Sequence, residues 1–174
     1  MREHAPVRAQ RLDAKLEADA YGIRLPAFRE VLAGIRVYLQ RQNSEVDKVN
    51  NVHQMLKEAK NGATGFIMLG PEFDTGPTDL HYRFKSGARL SFGLTLHESN
   101  GRCSMVAYRF HLHVGGNAGP TFYRFDLNRA GHENPLLEPR SHVHPGRDDI
   151  RLPCPALEPL EILDRIFHVI ERAE

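Results

Sequence analysis

A chain of 174 residues, 41% hydrophobic and 26% charged, has the composition of a folded globular protein long enough to bury a substantial core, which excludes disorder for the whole. Lys plus Arg (23) nearly balance Asp plus Glu (22), so no overall field draws it to nucleic acid or to an anionic membrane. No apolar run reaches membrane-spanning length, the N-terminus lacks an apolar signal core, and Cys103 and Cys154 give no disulfide framework of the secreted kind, so the expectation is a cytoplasmic protein.

The expected organisation is one α+β domain over 1–174, with a mainly helical half over 1–62, an antiparallel sheet over 79–145 and a closing helix over 156–173. A weak amphipathic stretch over 8–20 predicts a first helix. Pro26 suits a first helical turn, and Phe28, Val31, Leu32, Ile35 and Leu39 then recur at helical spacing. Ser44 and Asp47 resemble a capping box, followed by an apolar stripe of Val46, Val49, Val52 and Leu56 that Gly62 is placed to end. These stripes read as core packing. Glycines and prolines over 61–78 predict a loop, within which Phe66 to Leu69 suits a strand.

Beyond the loop the period changes to two. Leu90, Phe92, Leu94 and Leu96 alternate with polar or small residues, Ser99-Asn100-Gly101 signals a turn, and Val106, Tyr108, Phe110, Leu112 and Val114 alternate with Met105, Ala107, Arg109, His111 and His113. After a glycine-rich turn, Tyr123, Phe125 and Leu127 form the apolar set of the next strand, and a loop leads to Ser141-His142-Val143-His144. Leu160, Leu163, Ile166, Phe167 and Ile170 line a final helix after Pro155. The result is N-terminal helices, an antiparallel β-meander with one polar face, and a C-terminal helix.

Residues two apart on a strand point to the same side, with Cα atoms roughly 6.5–7 Å apart. Arg109, His111 and His113 therefore share a face. Arg124 and Asp126 lie opposite the aromatic set of their strand, and an inward Val143 sends His142 and His144 outward. With these strands as neighbours in this register, all seven polar groups converge on one surface. His97 and His132 are candidates to support them, whereas His53 and His168 sit in helical patterns and read as surface or packing residues.

Two chemistries suit this set. In the first, which needs no cofactor, one histidine is the general base and another the general acid in phosphodiester cleavage of RNA, and Arg109 and Arg124 stabilise charge on phosphorus. In the second, His111, His113, His142 and His144, with Asp126, bind a transition metal such as zinc, and the arginines hold an anionic substrate. A third reading, of a different class, is a non-catalytic module whose polar face docks an anionic ligand or a protein partner.

Three resemblances attach to these residues. His142-Val143-His144-Pro145-Gly146 with Asp148-Asp149 resembles the first metal-binding motif of cupins, but the chain then runs into Leu152-Pro153-Cys154-Pro155 and a helix, where cupins continue into strands bearing a Glu and a third His. The order of elements is similar to that of small metal-independent ribonucleases of the barnase and RelE type, by architecture alone. Tyr123-Arg124-Phe125-Asp126, a loop and His142-Val143-His144 are similar to the Tyr-Arg-Tyr-Asp and His-rich pattern of TumE-type toxins, the small partners in bacterial toxin–antitoxin pairs. That likeness covers about residues 105–150 and leaves the N-terminal helices outside it. It implies a ribonuclease-like toxin acting on RNA, with an antitoxin-like protein partner.

Overall fold

The computed structural model describes residues 21–42, 46–47, 50–70, 81–114, 121–130 and 140–172. Its elements run in the order β1 (Tyr21–Leu25), α1 (Phe28–Arg41), α2 (Val52–Met55), β2 (Leu56–Asn61), β3 (Thr64–Leu69), β4 (Tyr82–Arg83), β5 (Arg89–Ser99), β6 (Arg102–His113), β7 (Phe122–Leu127), β8 (Ser141–Pro145), β9 (Leu152–Pro153) and α3 (Pro159–Arg172). All strands belong to one antiparallel sheet in the order β2-β3-β5-β6-β7-β8-β9, with β1 pairing β6 and β4 pairing β5. The fold is α+β. The helix expected over 8–20 lies outside the described residues.

α1 forms where the apolar stripe predicts it, and Phe28, Val31, Leu32, Ile35 and Leu39 are all buried. Its N-cap side chain, Ala27, makes no capping bond. The cap comes instead from across the fold, where the Glu98 carboxylate accepts from the Phe28 N–H at 3.1 Å and also pairs with Lys60. α3 buries Ile162, Leu163, Ile166, Phe167 and Ile170 but exposes Leu160. Only the first member of the expected stripe, Leu160, misses the buried face, which Ile162 completes instead.

The helix expected from Ser44 to Gly62 does not form over its described residues, Ser44 and Val49 lying outside them. Val46 makes an isolated bridge to Phe84, Val52–Met55 is a single turn, and Leu56–Asn61 is strand β2, so sheet intrudes into the half expected to be mainly helical. The stripe was rich in β-branched valines, and β3, with buried Ile67 and Leu69, takes residues 56–61 as its neighbour. Lys57, Glu58 and Lys60 keep that edge charged and exposed. Gly62, at φ +61°, turns the β2–β3 hairpin and caps no helix.

The β5–β6 hairpin turns at Asn100 and Gly101, both at positive φ as a two-residue hairpin turn requires. A bulge follows: Leu96 faces Met105 while Thr95 faces Ala107, leaving Val106 over. Met105 and Cys103 therefore turn into the core, against the strict alternation expected for this strand. Beyond the bulge β6 pairs with β7, and before it with β1, so Val106 falls between the two ladders. Its carbonyl accepts from Arg140 Nη2 at 3.1 Å. The inner residues Leu90, Phe92, Leu94, Tyr108, Phe110 and Leu112 pack with both long helices in one core, with Phe92 stacked on Phe110.

Candidate functional site

The registers put the seven expected polar groups on the sheet face opposite that core. His111 lies across from Arg124, which lies across from His144; Arg109 lies across from Asp126, which lies across from His142. Directly paired residues share a face, so these two rows lie side by side, with His113 next along β6 opposite Phe122. The bulge sits on the other side of Ala107 and leaves this parity untouched.

Asp126 is the hub. Its Oδ1 accepts from Arg109 Nε at 3.1 Å and its Oδ2 from Arg124 Nε at 2.8 Å. The Arg124 guanidinium also pairs with Asp148 and brings Nη2 to 2.9 Å from His144 Nε2. A guanidinium only donates, so His144 Nε2 accepts, and its proton is on Nδ1, facing the Arg147 carbonyl at 3.4 Å. Burial, then the Arg124 charge, hold His144 below the usual imidazole pKa, in keeping with that neutral tautomer.

The face was expected to be open, yet Asp126 and His142 are only 3% exposed and His144 0%. His142 Nδ1 is buried without a hydrogen-bond partner among the described residues, and its Nε2 lies 3.8 Å from Asp126 Oδ2, beyond hydrogen-bond length. His144 Nε2 lies 3.4 Å from the same oxygen. One donor atom from each of Asp126, His142 and His144 falls within 4.8 Å of the others.

His111 and His113 form a separate pair, with ring centroids 4.1 Å apart and Phe122 edge-on to His111. β7 stands between this pair and the pair on β8, so about 10 Å of sheet divides them. The set of four imidazoles around one ion is therefore not assembled; a carboxylate and two imidazoles are. Burial foremost, then the neighbouring His113 and Arg124 charges, push His111 down to about 4. Burial and Arg89 lower His113. Both rings are neutral near pH 7.

His97 does not join the site. It lies six residues along β5 from Ser91, the residue that faces His111, and pairs instead with Thr64 and Ser104. His132 lies outside the described residues. Three participants escaped the sequence reading: Asp148, which appeared only within a metal-motif likeness; Phe122, next to an apolar set whose parity hid it; and Arg89, opposite His113.

Beyond Arg109 the same face turns apolar. Phe66, Met68, Gly93, Thr95 and Ala107 line a cavity of about 330 Å³, to which Arg109, Asn128 and Arg129 contribute polar groups. The parity of β3 was the available signal, since Phe66 and Met68 alternate with the buried Ile67 and Leu69. Among the described residues no helix is long and apolar enough to cross a membrane. Compared with family models, with curated proteins and with solved structures, the chain matches none.

Proposed function

We propose that this chain is a hydrolase that cleaves a phosphodiester, with RNA as substrate, on the His/Arg face of its sheet. The observation that carries this reading is the cross-strand array His111–Arg124–His144 beside Arg109–Asp126–His142, in which guanidinia and imidazoles face one surface. Asp126 orients both guanidinia through their Nε–H groups. Arg109, with its side chain 36% exposed, reaches the surface where a phosphate would approach.

The exposed His113 is the base. In its neutral form it takes the ribose 2′-OH proton; the 2′ oxygen then bonds to phosphorus, the bond from phosphorus to the 5′ oxygen breaks, the 5′ oxygen takes a proton from water, and a 2′,3′-cyclic phosphate and a 5′-hydroxyl end result. The acid half of a two-histidine mechanism fits less well, because the lowered pKa values of His111, His113 and His144 leave little imidazolium near neutrality. A cytoplasmic setting, in keeping with two free cysteines, and an antitoxin-like partner complete the reading, the latter from the TumE likeness.

The test is incubation of the protein with RNA, with the same RNA 2′-O-methylated, and with single-stranded DNA. Cleavage of the unmodified RNA alone, with cyclic-phosphate ends, is the expected result. An inert protein, or equal cleavage of all three, overturns it.

A further inference from the structure

A carboxylate and two imidazoles converge at the buried end of this face, each within 4.8 Å of the others. Asp126 Oδ2 lies 3.4 Å from His144 Nε2 and 3.8 Å from His142 Nε2, and all three side chains are almost wholly buried. Carboxylate and imidazole lone pairs gathered so closely call for a cation. Arg124 provides part of one, lying 2.8 Å from the carboxylate and 2.9 Å from His144. It does not reach His142 by any hydrogen bond, and Nδ1 of that ring is buried without a partner among the described residues. An ion at Nε2 would engage the other nitrogen of that ring, which stands 3.8 Å from Asp126 Oδ2, beyond hydrogen-bond length.

We propose that Asp126, His142 and His144 bind a single divalent first-row transition ion, in the two-histidine, one-carboxylate arrangement that leaves further positions open. Zinc bonded at 2.0–2.2 Å to each donor would set neighbouring donor atoms about 3.0–3.5 Å apart; the spacing of Asp126 to His144 already falls in that range, and that of Asp126 to His142, at 3.8 Å, lies just outside it. The surroundings suit the task. His144 directs Nδ1–H to the Arg147 carbonyl, the orienting bond that ligating histidines usually make through their other nitrogen. Arg124 must release His144 Nε2, and its pairing with Asp148 on the opposite side gives it somewhere to remain. His111 and His113 stay outside the coordination sphere, since β7 separates them from it.

The binding of the ion stands on geometry alone, whereas the role assigned to it rests on the hydrolytic reading above. It would neutralise the charge that grows on the departing 5′ oxygen; that oxygen then takes its proton from water.

The full chain, stripped with chelator, is incubated with Zn²⁺, Co²⁺, Ni²⁺ or Mn²⁺, desalted, and assayed by elemental analysis, with the visible spectrum of the Co²⁺ form recorded. One ion per chain is expected, together with cobalt d–d bands and a raised Tm. His142→Gln and His144→Gln should each lose at least tenfold in affinity, while His111→Gln and His113→Gln bind as wild type does. Circular dichroism establishes that the variants fold, and the wild-type stoichiometry and spectrum stand even where they do not. Wild type that retains none of these ions, or binding lost with His111 or His113 instead, overturns the site. RNA cleavage undiminished in the stripped protein overturns the ion's role and spares the hydrolase; tight binding without cleavage of any substrate does the reverse.

Discussion

The ring of Phe28 occupies the space that a side chain on Gly65 would fill: a Cβ built there would stand 2.2 Å from the ring. The first residue of α1 is thereby laid flat on β3, with Lys60 above it at 5.6 Å from the ring centre. Gly65→Ala must push the ring out of a packed site, and overpacking of this kind costs about 1–3 kcal/mol. Urea unfolding of the variant should show a lowered midpoint with an unchanged slope, and Phe28→Leu in the same chain should recover part of the loss. An unchanged midpoint in the single variant would refute the contact.

Asp126→Asn keeps the shape of the hub and removes the charge that two guanidinia share. Removing one member of a buried ion pair costs about 3–5 kcal/mol; with Arg109 partly in solvent, about 2–3 kcal/mol is the expected loss. Chemical denaturation measures it directly. A change under 0.5 kcal/mol would mean that solvent already screens the cluster.

Acid should weaken the fold before it protonates most carboxylates. His111 holds its proton only below about 4 when folded, whereas an unfolded histidine takes one near 6.5. Between those values the unfolded chain binds more protons, so stability falls as pH drops from about 6.5 towards 4, and is fully retained above that window. The contribution is roughly 1–2 kcal/mol once the partial solvent contact of this ring is discounted. His111→Gln should flatten the slope of stability against pH across the window; the same slope in both proteins would rule out His111 as its source.

On the RNA substrate, His113→Ala should reduce kcat by about 10²–10⁴ while leaving the melting temperature near that of wild type. Arg109→Lys keeps the charge but loses the planar fork, and should cost on the order of 10²–10³ in kcat with less effect on KM. A loss confined to KM would mean contact with ground-state substrate alone, as in a binding module.

Much of this face was legible because the alternation in β6 and β7 is clean where it matters. Phe110 and Leu112 point one way, so Arg109, His111 and His113 must point the other, and Phe125 sets Asp126 and Arg124 likewise. Period-two patterns carry parity but no partner: that Asp126 meets both arginines, and that β7 divides the histidines into pairs, depends on strand order. The errors have equally local causes. Valines at helical spacing over 46–56 suited strand and bridge as well as helix, and the pairing demand of Ile67 and Leu69 decided between them. No signal in Met105-Val106 announced a bulge, since both residues are apolar and either parity would have been acceptable.

That bulge makes β6 serve two masters. Were Val106 taken into the ladder as an ordinary pair, the strand would keep a single pleat, and its halves would compete for orientation. Facing Cys103 and Met105 inward would rotate Arg109, His111 and His113 into the apolar layer, and facing those three outward would evict the other two. One supernumerary residue, its carbonyl tethered by Arg140, dissolves the conflict. The hairpin end can therefore drift in sequence to suit the core while the far end drifts to suit its chemistry, each without disturbing the phase of the other.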